Sequence, residues 1–262
     1  MTGALPLMKV SDYLSFLAET ILGHVLAVAW HYLVERHGTP QKADGVPCDP
    51  DFIVVAYGKL GGIELAHGSD LDLVFIHDAD PMLATDGERA IENGVFFTRL
   101  GQRIIHVLTA YTPLGQLYEV DMRLRPSGAA GLLVSSLTAF REYQYRQAWT
   151  WEHQALVRAR GVAGDGALLD AFDGVREQTL TQPRDAEKLR QDVDSMRLRM
   201  RAELDRSDAD RRLAGRGLRF PRSCDLSRQL ADAGPRARRM GPGGARRGGG
   251  APLRIVLREE QP

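Results

Sequence analysis

The segment Gly68-Ser69-Asp70-Leu71-Asp72-Leu73-Val74-Phe75-Ile76 limits the possible folds of this chain more than any other. Alternate residues of an extended strand face opposite sides, and here Leu71, Leu73 and Phe75 alternate with Val74 and Ile76, so both faces are apolar. Such a strand belongs inside a sheet that is covered on each side. At its head, Asp70 and Asp72 project together while Leu71 and Leu73 enter the opposite layer. Neighbouring carboxylates repel unless a hard cation neutralises them, and Asp oxygens with phosphate oxygens are the ligands that Mg²⁺ prefers. Asp-x-Asp at a strand start is also a turn or capping feature, so the pair gains meaning only from its surroundings.

Those surroundings fit a phosphate site. Phe52 to Tyr57 is a short β-branched and aromatic run ending at Gly58, and Gly61 and Gly62 predict a tight turn after it. Gly61, Gly62 and the Gly68-Ser69 pair offer backbone N–H groups and a hydroxyl where no bulky side chain blocks a triphosphate, with Lys59 and His67 flanking. Residues 88–110 carry Ile91, Val95, Phe96, Leu100, Ile104, Val107 and Leu108 at helical spacing, and Gly115-Gln116 turns into a third strand, Leu117 to Leu124. That strand would set Asp121, Arg123 and Arg125 on one face and Val120, Met122 and Leu124 on the other. Beside the first strand, Asp121 would complete a two-metal clamp and the arginines would neutralise phosphate or leaving-group charge.

The rest of the chain reads as scaffold. Ser11 is placed to cap a helix running to about Arg36, stopped by His37-Gly38-Thr39-Pro40 and followed by a polar loop. It is apolar, but Glu19, His24, His31 and Glu35 interrupt it, which predicts a buried amphipathic helix and no membrane span. Helices are predicted over Ser136 to Arg160, over 166–180 and from Asp185 to about Arg206, the last with Leu189, Val193, Met196, Met200 and Leu204 on one stripe. The expected class is α+β, a mixed sheet with flanking helices: an N-terminal helix and loop over 1–50, a catalytic core over 51–135 and a helical region over 136–208. Residues 209–262 form an Arg/Gly/Pro-rich tail expected to be disordered.

Composition narrows the function. Lys+Arg and Asp+Glu each number 34, yet residues 211–262 hold 13 Arg against 4 acids, leaving residues 1–210 with 21 basic against 30 acidic. Without a basic stripe in that acidic part, a nucleic-acid partner is not expected. Cys48 and Cys224 are too few for a metal cluster or disulfide framework, and no basic n-region precedes an apolar core at the N-terminus. A cytoplasmic location is expected.

Taken together, Gly-Ser, Asp-x-Asp and a third carboxylate on a later strand resemble the polymerase-β-type nucleotidyltransferase superfamily. Closer still, Val55-Ala56-Tyr57-Gly58-Lys59-Leu60-Gly61-Gly62-Ile63-Glu64-Leu65, His67-Gly68-Ser69-Asp70-Leu71-Asp72, Val120-Asp121-Met122-Arg123-Leu124-Arg125-Pro126-Ser127-Gly128 and Trp149-Thr150-Trp151-Glu152-His153-Gln154 are similar to the glutamine synthetase adenylyltransferase (adenylyl-removing) family. The wording resembles that family's C-terminal, adenylylating half. The resemblance implies a polymerase-β-like mixed sheet, with Mg²⁺ on Asp70, Asp72 and Asp121. It also implies transfer of AMP from ATP to a tyrosine hydroxyl of glutamine synthetase, with pyrophosphate released and Asp121 helping to deprotonate the tyrosine. Implied partners are glutamine synthetase and, through regions outside the matched stretch, a PII-type signalling protein. Trp149 and Trp151 are expected to pack the helical half rather than stack on adenine.

Departures leave two alternatives open. After Met196-Arg197-Leu198-Arg199-Met200-Arg201 the family continues into a glycine pair and an acidic apolar helix, whereas this chain enters the Arg/Gly/Pro tail, which reads as a fragment's out-of-frame end from about Asp210. One alternative is another superfamily member acting on a nucleic-acid end or a small-molecule hydroxyl. The other is a truncated remnant that binds nucleotide or partner without turnover.

Overall fold

The computed structural model describes residues 6–198 apart from positions 81, 186, 188 and 197. Expectations for the tail, and for Met200 and Leu204, lie outside the described residues.

Helix α1 (Leu7–His37) starts after Pro6 rather than at Ser11, which lies inside it, and ends at Gly38, whose φ of +80° lets its N–H return to Val34 O. Ala18, Leu22, Val25, Leu26, Ala29 and Leu33 recur at helical spacing and are buried. The opposite side is mixed rather than uniformly polar: Tyr13, Phe16, Leu17 and Val28 are exposed there beside Thr20, His24, His31, Glu35 and Arg36. By length and apolar composition α1 could cross a membrane. Its buried face packs on helix α3 (Asn93–Thr109) and strand β5 (Arg160–Gly164).

Strand β1 (Phe52–Ala56) runs antiparallel to β2 (Leu71–His77), with Phe52 opposite His77 and Ala56 opposite Leu73, and antiparallel to β5 on its other edge. The far edge of β2 is shared by two short parallel strands, β3 (Val120–Asp121) and β4 (Val134–Ser136). The result is the expected mixed sheet. Its alternation divides the core in two: Phe52, Val54, Leu71, Leu73 and Phe75 join α1 and α3, whereas Ile53, Val55, Tyr57, Val74 and Ile76 meet Phe140, Leu156 and Phe172 from α4 (Leu137–Arg146), α5 (Thr150–Val157) and α6 (Gly166–Leu180).

Three further elements depart from their predicted form. The third strand shrinks from eight residues to two, and it ends at Asp121 because Asp121 Oδ1 accepts the Arg123 N–H at 2.8 Å, an Asx turn that bends the chain out of the ladder. The single helix expected over 136–160 breaks at 147–149. There the carboxylate of Glu152 takes the Trp149 N–H at 2.8 Å and starts α5 anew. After α5 the chain enters β5 at Arg160, a strand the sequence hid. Helix α3 begins at Asn93 rather than near residue 88, since Thr85 bonds Ile91 and Ala84 bridges Glu92 to fold the preceding residues into a loop. Trp149 and Trp151, 66% and 40% exposed, line a small pocket of the helical half with Thr150, Gln154, Asp192 and Met196.

His77 closes β2 in the core, with its ring stacked on Phe97 at 4.6 Å between centroids and Nδ1 accepting the Ala79 N–H. Burial pushes its pKa down to about 4. The unfolded imidazole keeps an ordinary value of about 6.5. It therefore takes up a proton first on acidification, and folding stability should fall by up to about 3 kcal/mol as pH drops from about 6.5 to about 4. His77→Asn retains an acceptor for Ala79 but does not titrate. Urea unfolding across that pH range should give this variant a visibly shallower acid loss than the parent, and parallel curves would refute the assignment.

Candidate active site

The β2–β3 register sets Asp72 directly beside Asp121, and Asp70 lies just before β2. One carboxylate oxygen from each of the three lies within 4.8 Å of the others. The sequence-predicted carboxylates are thus brought together, Asp70 exposed and the other two half-buried. A fourth residue shapes the cluster, and sequence reasoning missed it. Gly58 has φ +55°, and a Cβ there would overlap Asp72 Oδ2, so a side chain just after β1 would strain the backbone and displace this carboxylate. Its signal was a glycine directly after a buried strand.

Lys59 opens α2 (Gly58–Gly61) beside this glycine and donates from Nζ to Ser69 Oγ at 3.2 Å. Ser69 Oγ also accepts the Ala66 N–H, and Gly68 takes φ +71° with open space around it, so the 66–69 loop is a closed turn facing outward. Gly61 and Gly62 do not join it. Their N–H groups donate to the carbonyls of Tyr57 and Gly58, and a Cβ on Gly61 would overlap the Arg158 carbonyl while one on Gly62 would meet the Arg158 guanidinium at 2.7 Å.

The arginines separate too. Arg123 folds back onto Asp121, its Nε 2.7 Å from Oδ2 and its Nη2 paired with the same oxygen. Arg125, expected on the same face, donates instead to the carbonyls of Met122 at 2.7 Å, Ala129 at 3.2 Å and Gly131 at 3.4 Å, where it holds the 122–131 loop. The Asx turn at Asp121 ended the strand face that would have aligned them.

Charge is unevenly balanced across the cluster. Burial, then repulsion from Asp70 and Asp121, raises the Asp72 pKa to about 6, against the partly offsetting Arg123 and Lys59. Hydrogen bonds from Arg123 hold Asp121 below the ordinary carboxylate range. An all-carboxylate cluster with unrelieved repulsion at its centre fits a hard divalent cation such as Mg²⁺, and no softer His or Cys ligand takes part among the described residues.

A mixed sheet that gathers three carboxylates behind a Gly-Ser turn defines a nucleotidyltransferase-type site. The chain belongs to the glutamate-ammonia ligase adenylyltransferase family, whose model matches residues 1–175. It is similar to the bifunctional glutamine synthetase adenylyltransferase/adenylyl-removing enzyme of Pseudomonas aeruginosa, 64% identical over 204 residues, which is 78% of this chain and 21% of that protein. The Hahella chejuensis protein of the same name is 59% identical over 76% of this chain and 21% of its own length, and that of Nitrosococcus oceani is 56% identical over 79% and 22%. The chain spans about a fifth of the length of the curated relatives it matches.

Proposed function

We propose that this chain transfers AMP from ATP to a tyrosine hydroxyl of glutamine synthetase. The reading is carried by the Asp70, Asp72 and Asp121 cluster, and supported by relatives named for glutamine synthetase adenylylation. Asp70, Asp72 and Asp121 would hold Mg²⁺, which when bound neutralises phosphate charge and polarises phosphorus. The Gly68-Ser69 turn and Lys59 receive the leaving phosphates, and Arg123 lies where negative charge develops. Kept ionised by Arg123, Asp121 accepts the hydroxyl proton as the tyrosine oxygen bonds to the α-phosphorus and the bond to pyrophosphate breaks. Positioning and charge stabilisation account for most of the acceleration.

The test incubates the chain with unmodified glutamine synthetase, Mg²⁺ and ATP labelled at the α-phosphorus. Label should appear on a tyrosine of glutamine synthetase, matched mole for mole by pyrophosphate, and should vanish with EDTA. Label on another residue type, or none at all, would remove the reading.

A further inference from the structure

At the opposite end of β2 from the carboxylates, the last turn of α1 and the first half of α3 border an open groove of about 390 Å³ lined by Tyr32, Leu33, Arg36, His37, Arg89 and Arg99. A seven-residue strand, about 20 Å long, separates this end from the active site. His77 marks the near end of β2, stacked on Phe97 of α3 two residues before Arg99.

The groove is basic and unbalanced. Arg36, Arg89 and Arg99 reach it from three separate segments, and Arg103, one turn beyond Arg99, lays its guanidinium 3.5 Å over the Tyr32 ring. Among the described residues none of these four arginines has a carboxylate within ion-pair distance, although Glu35, Glu88 and Glu92 are near in sequence. Arg103 Nε is also buried with no hydrogen-bond partner. Guanidinium groups gathered around one groove repel, and a bound anion relieves that repulsion.

The walls are fixed in place. His37 Nδ1 faces the Arg89 carbonyl at 2.9 Å, which can only accept, so the neutral ring donates there and offers Nε2 to Arg99 Nη1 at 3.1 Å. The His37 carbonyl in turn accepts from Thr85 Oγ1 and the Gly87 N–H, strapping the Arg89 loop to the end of α1. Arg36 Nη1 donates to the Tyr32 hydroxyl at 3.2 Å, so one ring carries two of the cations. Arg36 and Arg99, held in this way, lose little further freedom on binding.

We propose that this groove is a binding site for a small polyvalent oxyanion, one presenting two or more anionic phosphate or carboxylate groups. Arginine forks match both oxyanions bidentately, and the Tyr32 ring holds two of the cations at one wall of the groove.

The test titrates the full chain by calorimetry with pyrophosphate and separately with citrate, in EDTA without divalent cations, at ionic strength held constant with chloride. Saturable binding of at least one probe is expected, weakened at least about tenfold in Arg36→Gln/Arg99→Gln and in Arg89→Gln. A preference for pyrophosphate assigns the phosphate class, and one for citrate the carboxylate class. The mutated side chains are exposed, and unchanged far-ultraviolet dichroism verifies that each variant folds. Failure of both probes to saturate on the parent chain, or equal binding by the folded arginine variants, would overturn the proposal.

Discussion

Asp72→Asn is expected to lower AMP transfer by about 10²–10³-fold while making the cation-free protein more stable. The activity loss follows from removing the central member of a three-carboxylate cluster whose oxygens lie within 4.8 Å of one another. Gain in stability follows from the same closeness. Folding brings Asp72 between Asp70 and Asp121, and its pKa rises to about 6 from an ordinary value near 4. An acid with a raised folded pKa stays protonated after the unfolded chain has ionised, so stability declines as pH rises from about 4 through about 6. Asparagine carries no charge and escapes that decline. For a half-exposed group screened by solvent the gain at neutral pH should be about 1 kcal/mol. Urea midpoints in EDTA, beside single-turnover label transfer in Mg²⁺, measure both quantities. A variant that loses activity and stability together would point to a misfolded site rather than to lost ligation.

What could be read from the sequence depended on whether the cause was local. β2 was legible because burial on two sides demands apolar residues at both parities, and Leu71 to Ile76 supplies them. Asp121 was legible from simple alternation instead, lying on the polar face between Val120 and Met122. The early end of β3 was not, since a side-chain oxygen of Asp121 competed with the ladder for the Arg123 N–H. Strand β5 is Arg-Gly-Val-Ala-Gly, with little β propensity of its own; pairing to β1 makes it a strand. The break before α5 comes from a Glu152 capping contact around Trp149, a residue type that signals no cap. Gly58 beside Asp72, and the meeting of Arg36, Arg89 and Arg99, depend on contacts across the fold and leave no fixed spacing behind.

Gly61→Ala should destabilise the protein by about 3 kcal/mol or more, the upper end for overpacking. Gly61 has no unusual demand on φ; what excludes a side chain is the backbone on both sides of it. A Cβ would overlap the carbonyl oxygen of Arg158 and approach that of Ala56 to 2.6 Å. Neither is a flexible side-chain end. Ala56 is the last residue of β1 and pairs with Arg160, so moving one carbonyl strains the β1–β5 ladder. Arg160 tightens the junction further, donating to the carbonyls of Leu60 at 3.2 Å and Gly61 at 3.3 Å while paired with Glu19 of α1. Gly68→Ala is the contrast. Its φ of +71° carries the left-handed penalty, about 1 kcal/mol, but open space surrounds it. Urea midpoints should therefore rank the parent first, Gly68→Ala second and Gly61→Ala last by a wide margin. Because α2 also presents Gly58 to Asp72 and Lys59 to Ser69, the Gly61 variant should lose AMP transfer along with stability. If Gly61→Ala unfolds no earlier than Gly68→Ala, the helical half does not clamp the turn that carries the site.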